Sequence, residues 1–171
     1  MAQGKTQFIG AAGQYYVAYG LAVRQVHAAL TMGNAPAVDI LAADGAGENA
    51  LSLQVKTSRN AYRKRRYGRE GAEWDVGASA IHRWHENQWY ALVDLQEGAD
   101  TWDPQVYFVP SFWVAQFVKP EFSRKLFFLP ATAFDITCEK WDLVQRFLSA
   151  DPQTRNWATT WPEDELVRWG R

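Results

Sequence analysis

The chain predicts an α/β sandwich around one central sheet of about four or five strands, flanked by helices. Three observations carry this. A long stretch with helical apolar spacing comes first, strand-like runs separated by turn residues follow, and helix-like segments close the chain. At 171 residues the chain suits one domain with a sizeable core. We expect that single domain to span 1–171, with a Trp-rich extension from about residue 151.

The first element is expected over Phe8 to Met32. Ile9, Ala12, Tyr16, Tyr19, Val23, Val26 and Leu30 recur at spacings of three and four, and Gln14, Val17 and Leu21 form a second line. Gly33, Asn34 and Pro36 then suit a helix stop. "AVDILAAD" and "LSLQVKTS" read as strands joined by the turn "GAGEN". "WYALVDL", "QVYFVP" and "LFFLP" add further strands. "PSFWVAQFV" predicts a short helix capped by Ser111. "EKWDLVQRFL" gathers Trp141, Val144, Phe147 and Leu148 on one helical face, and "PEDELVRW" suits a last turn or two. "RNAYRKRRYGREG" reads as a polar, basic segment between strands.

Composition narrows the classes. Hydrophobic residues make up 47% and charged residues 22%, as in ordinary soluble domains. The net charge of −1 offers no global basic field for nucleic acid, so such binding would rest on a local patch. The single cysteine, Cys138, has no internal disulfide partner. No signal-like start and no apolar run of spanning length is seen, so a cytoplasmic location without membrane contact is expected. Aromatics at 15%, including nine Trp, fill a core or an interface.

The polar triplet Gln54–Val55–Lys56 interrupts a strand that should be half buried, and Asp39 stands at the head of the preceding strand. An antiparallel hairpin brings Asp39 near the triplet, with Gln54 and Lys56 on one face and Val55 on the other. A carboxylate and an amide oxygen are hard ligands of the kind Mg²⁺ takes. A neighbouring ammonium orients water or stabilises developing phosphoryl charge. The plainer alternative is a cross-strand Asp39–Lys56 ion pair.

"GQYYVAYGLAVRQ", "GNAPAVDILAAD" and "LSLQVKTS" together resemble the PD-(D/E)XK nuclease superfamily, in particular its small bacterial members with a D…QxK motif. The detailed resemblance covers roughly Phe8 to Ser58 and continues more loosely through "EWDVG", "WYALVDL" and "VYFVPSFWVA". It implies a restriction-endonuclease-like sandwich with a mixed sheet, and a Mg²⁺- or Mn²⁺-dependent endonuclease hydrolysing DNA, acting as a homodimer or higher homo-oligomer. It implies Asp39 as central metal ligand, Gln54 and the Val55 carbonyl as further ligands, Lys56 as the catalytic lysine, and Gln14 orienting an outer water. Gln14 departs from the pattern, where many relatives carry Glu. The chain's other reading is a nuclease-fold nucleic-acid-binding protein of weak or no activity. A third is a partner protein using its Trp-rich tail.

Arg59, Arg63, Lys64, Arg65, Arg66 and Arg69 crowd into eleven residues with Tyr62 and Tyr67 between them. They are candidate phosphate contacts, or a solvated charge run. Asn34 is a further candidate contact beside Asp39. "GAGENA" imitates a dinucleotide loop but precedes a strand rather than a helix. His82 and His85 have ligand-like spacing, but with only one cysteine and one other histidine in the chain a surface pair is expected rather than a zinc site.

Overall fold

The computed structural model describes residues 2–31, 38–64, 70–98, 101–118 and 121–153. The elements run α1 (Ala2–Ala22), β1 (His27–Leu30), β2 (Ile40–Ala43), β3 (Ala50–Ser58), β4 (Tyr62–Lys64), β5 (Glu70–Asp75), β6 (Gln88–Asp94) and β7 (Gln105–Pro110). They continue with α2 (Ser111–Phe117), β8 (Leu126–Pro130), α3 (Phe134–Thr137) and α4 (Trp141–Ser149). The central sheet has five strands in the order β1-β2-β3-β6-β7, and a second sheet has the order β4-β5-β8. Only the β3–β6 pair is parallel, so the central sheet is mixed, as expected. The second sheet was not expected.

Helix α1 ends ten residues earlier than its apolar spacing predicts. The Gln25 N–H bonds to the Ala22 carbonyl and the Val26 N–H to the Leu21 carbonyl, with Gln25 at φ 62°. That pair of bonds is a Schellman motif, with Gln25 rather than glycine in the left-handed position and with Val26 and Leu21 both buried. The next residues pair with β2 as an edge strand, Leu30 opposite Ile40. The buried face of α1 centres on the other line, with Ile9 and Tyr16 of the longer stripe packed at its margin. Val17 and Leu21 are core residues, whereas Tyr19 and Val23 of the longer stripe are exposed. The Gly33–Pro36 stop lies outside the described residues.

Small residues let α1 settle onto the sheet. A methyl group at Gly13 would stand 2.0 Å from the Thr57 hydroxyl, and one at Gly20 2.1 Å from the Trp141 ring. Trp141 of α4 also meets Phe108 of β7 with centroids 5.0 Å apart, and Phe147 meets Trp89 at 5.3 Å. Helices α1 and α4 therefore cover one face of the central sheet. Tyr107 neighbours Phe108 and points the opposite way. There it meets Trp74 of β5 at 5.4 Å, and the Trp74 indole N–H donates to the Val93 carbonyl at 2.9 Å. The second sheet thus covers the other face, a helix–sheet–sheet arrangement.

Two local expectations change. Ser111 is not a helix cap: Pro110 takes that position, and the buried Ser111 hydroxyl bridges the His85 backbone N–H and carbonyl. The basic segment is not a plain connector, since Tyr62–Lys64 is strand β4 and "EGAEWD" is strand β5. The "GAGEN" turn forms, with the Asp44 carboxylate accepting from the Glu48 and Asn49 N–H groups and Gly47 at φ 75°. The Trp-rich extension and "PEDELVRW" lie outside the described residues. No described helix is long and apolar enough to cross a membrane.

Candidate metal and phosphate site

Strand β3 outruns β2. Their last paired rung is Ile40–Leu53, whereas β3 continues to Ser58 beside β6. Asp39 sits at the point of departure. Its N–H still bonds to the Leu53 carbonyl at 2.9 Å, and its own carbonyl accepts from the Thr31 N–H at 3.0 Å. The backbone of Asp39 is thus tied on both sides.

Its side chain fills the gap that β2 leaves. One carboxylate oxygen accepts from the Gln14 amide at 2.9 Å, and the other from the Val55 N–H at 2.7 Å. The Val55 N–H has no β2 partner at this rung, so the carboxylate stands in for the missing ladder bond. In an extended strand the N–H and C=O of one residue leave toward the same edge, which puts the Val55 carbonyl on the Asp39 side.

Gln54 is 8% exposed, and its amide oxygen is buried without a hydrogen-bond partner. Tyr90 lies opposite Gln54 on β6. Burial, followed by the Asp39 charge, pushes its phenol up to about 12. Lys56 follows on the same face as Gln54, half buried, and makes no ion pair among the described residues. The cross-strand Asp39–Lys56 pair therefore does not form.

Gln14, Asp39 and Val55 are joined by direct bonds, with Gln54 and Lys56 on the adjoining stretch of β3. Sequence reasoning missed Tyr90, which depends on the parallel β3–β6 register, and Thr57, whose buried hydroxyl lacks a partner beneath Gly13. Among the described residues no three His, Cys, Asp or Glu side chains gather for a metal. A cation at Asp39 would rely on amide and main-chain oxygens, and the orphaned Gln54 oxygen is such a donor. The set consists of hard oxygens and fits Mg²⁺, with one formal charge to hold it.

The basic cluster is divided. Arg59 pairs with Glu97 at 2.8 Å and Lys64 with Glu70 at 3.0 Å. Arg63 caps the Asn60 and Tyr62 carbonyls. Arg59 and Arg63 line, with Thr57 and Ser58, a cavity of about 480 Å³ at the end of β3. Asn34, Arg65, Arg66, Tyr67 and Arg69 lie outside the described residues. Compared with models of known families, with curated proteins and with solved structures, the chain finds no match.

Proposed function

We propose that the chain is a restriction-endonuclease-like, Mg²⁺-dependent endonuclease that hydrolyses DNA phosphodiester bonds. The observation that carries this is the grouping of Asp39, Gln14 and Val55 around the end of the β2–β3 ladder, with the buried, unpartnered Gln54 oxygen on the neighbouring residue of β3. An amide oxygen buried without a partner is costly unless a ligand completes it.

In this reading Asp39, Gln54 and the Val55 carbonyl hold the cation, and Gln14 steadies the Asp39 carboxylate. When bound, Mg²⁺ (or Mn²⁺) polarises the scissile phosphate and acidifies a water. Lys56, on the Gln54 face and without an ion-pair partner among the described residues, donates to the phosphate oxygen on which charge develops. Arg63 and Arg59 contact flanking phosphates. A second copy of the chain supplies the cut in the other strand of a duplex.

A nucleic-acid-binding protein of the same fold with little or no catalysis is the second reading. It is favoured by the Asp39 carboxylate, whose two oxygens are already engaged by Gln14 and Val55. Calorimetric titration with Mg²⁺ and Mn²⁺ separates the two, because only the nuclease requires metal bound through Asp39.

The test is cleavage of linear, nicked, branched and single-stranded DNA with either metal. Asp39→Asn retains an acceptor for the Val55 N–H while removing the charge. It is expected to lower the cleavage rate by about a hundredfold or more, equivalent to ~2.7 kcal/mol. Asp39→Ala also strips the Val55 N–H of its partner and costs about 1–3 kcal/mol of stability besides. Wild-type cleavage by Asp39→Asn would reject the site.

A further inference from the structure

A second cavity, of about 680 Å³, opens where β4, β6, β7 and α3 meet. Its apolar wall is aromatic, formed by Tyr62, Tyr107 and Phe134. Tyr107 and Phe134 pack with centroids 4.9 Å apart at 54°. Its polar groups are specific. The Tyr107 hydroxyl donates to the Gln105 amide oxygen at 3.1 Å, which leaves the Gln105 NH₂ as the amide's free end. Asp94 is buried at 3% exposure, and one of its oxygens already accepts from the Ala61 and Gln96 N–H groups. Asp135 stands in the first turn of α3 and Lys140 at the head of α4, both on the cavity wall.

We infer that this cavity is a subsite for an unpaired nucleobase carrying an exocyclic amino group. The exposed Tyr62 and the half-buried Phe134, backed by the enclosed Tyr107, offer a stacking surface to any base. The Gln105 amide NH₂ donates to ring and carbonyl acceptors. The exposed Asp135 carboxylate accepts from an exocyclic amine, as carboxylates do from cytosine N4. Thymine would turn a carbonyl oxygen toward that carboxylate. With two carboxylates against one ammonium, the cavity selects for the base edge and not for phosphate. Its volume is in the usual range for small-ligand sites, roughly 300–1,000 Å³.

Placement links the cavity to the candidate site, and its assignment to the substrate strand rests on the nuclease reading. Lys56, Leu92 and Tyr107 share one rung of the central sheet. Ser58, Asp94 and Gln105 share the rung two residues on, hence the same face. Strand rise and spacing put the Lys56 and Gln105 backbones about 12 Å apart. The candidate site and the cavity therefore lie on one sheet face, two strands apart, with the enclosed Leu92 between them.

The test is an NMR titration of the full chain with dCMP, dAMP, dGMP and dTMP, without divalent metal. Saturable shifts are expected at Gln96, Gln105 and Asp135, with dCMP binding about fivefold or more tighter than dTMP. Asp135→Ala, at an exposed position, is expected to bring dCMP close to the dTMP value. Phe134→Leu is expected to weaken all four. The inference is overturned by an absence of saturable shifts, by equal binding of the four nucleotides, by shifts confined to Arg59 and Arg63, or by an unchanged preference in Asp135→Ala. Because no metal is present, these outcomes bear on the cavity alone, and cleavage by Asp39→Asn bears on the nuclease reading alone.

Discussion

Gln14 gives Asp39 something an ionised glutamate cannot, an N–H donor 2.9 Å from one carboxylate oxygen. The neutral amide holds Asp39 in place without a cation. Glutamate at this position sets two carboxylates within hydrogen-bond distance, and one of them then titrates well above its ordinary range. A divalent cation reverses that penalty, because it meets two charges instead of one. Gln14→Glu is therefore expected to lower the Mg²⁺ concentration for half-maximal cleavage by about tenfold, or ~1.4 kcal/mol. The metal-free variant is expected to melt below the wild type at pH 7, by ~2–4 °C per kcal/mol of repulsion. The deficit should shrink as the pH falls and the raised carboxyl takes up its proton. Coincident Mg²⁺ titrations for the two proteins would remove Gln14 from the site. The meeting of Asp39 with the Gln54 strand was legible, since a hairpin register follows from turn chemistry and a period of two. The bond from Val55 to Asp39 was not, because it exists only where β2 stops short of β3.

Helix α1 shows how local preference yields to packing at the scale of an element. Glycine inside a helix costs about 0.5–1 kcal/mol relative to alanine, so Gly→Ala at an open site would stabilise. At Gly20 the added methyl would stand 2.1 Å from the Trp141 ring, which is held between α1 and Phe108 and has Arg24 stacked 4.6 Å from its centroid. Gly20→Ala is therefore expected to destabilise by about 1–3 kcal/mol in urea unfolding, against its helix propensity. A stabilised variant would mean that Trp141 moves aside freely. The same helix explains what the sequence concealed. Its end is marked by Gln25, a residue without the usual C-terminal signal, and the apolar spacing runs on through Val26 and Leu30 into what is strand β1. The second sheet was hidden for a related reason. β4 is three exposed residues, Tyr62–Lys64, and β5 alternates weakly around Ala72 and Trp74. Charge masked the pairing, and only β8 carries a plainly apolar run. By contrast, β6, β7 and α4 were legible because each buries an uninterrupted run or a clean face.

At the scale of the whole molecule, the central sheet is covered on both faces, and buried tyrosines stand in it. Burial, then the Asp39 charge, pushes the Tyr90 phenol up to about 12, and burial first of all raises Tyr107 as well. Both are almost wholly enclosed, at 1% and 3% exposure. The sign of the linkage follows. An unfolded tyrosine loses its proton near pH 10, whereas the folded Tyr90 keeps it until about pH 12. Between those values the unfolded chain binds fewer protons, so stability falls as pH rises. Below pH 10 both states are protonated and the difference vanishes. Each such tyrosine contributes a slope of about 1.4 kcal/mol per pH unit inside that window. Tyr90→Phe removes one ionisation from the folded core and nothing from its apolar contacts. Urea unfolding at intervals from pH 9 to pH 11.5 is expected to give parallel stabilities for variant and wild type up to pH 10. Above that the wild type should fall more steeply, by roughly one tyrosine's slope. Superimposable curves across the whole range would show that Tyr90 ionises alike in both states, and that neither burial nor the Asp39 carboxylate acts on it.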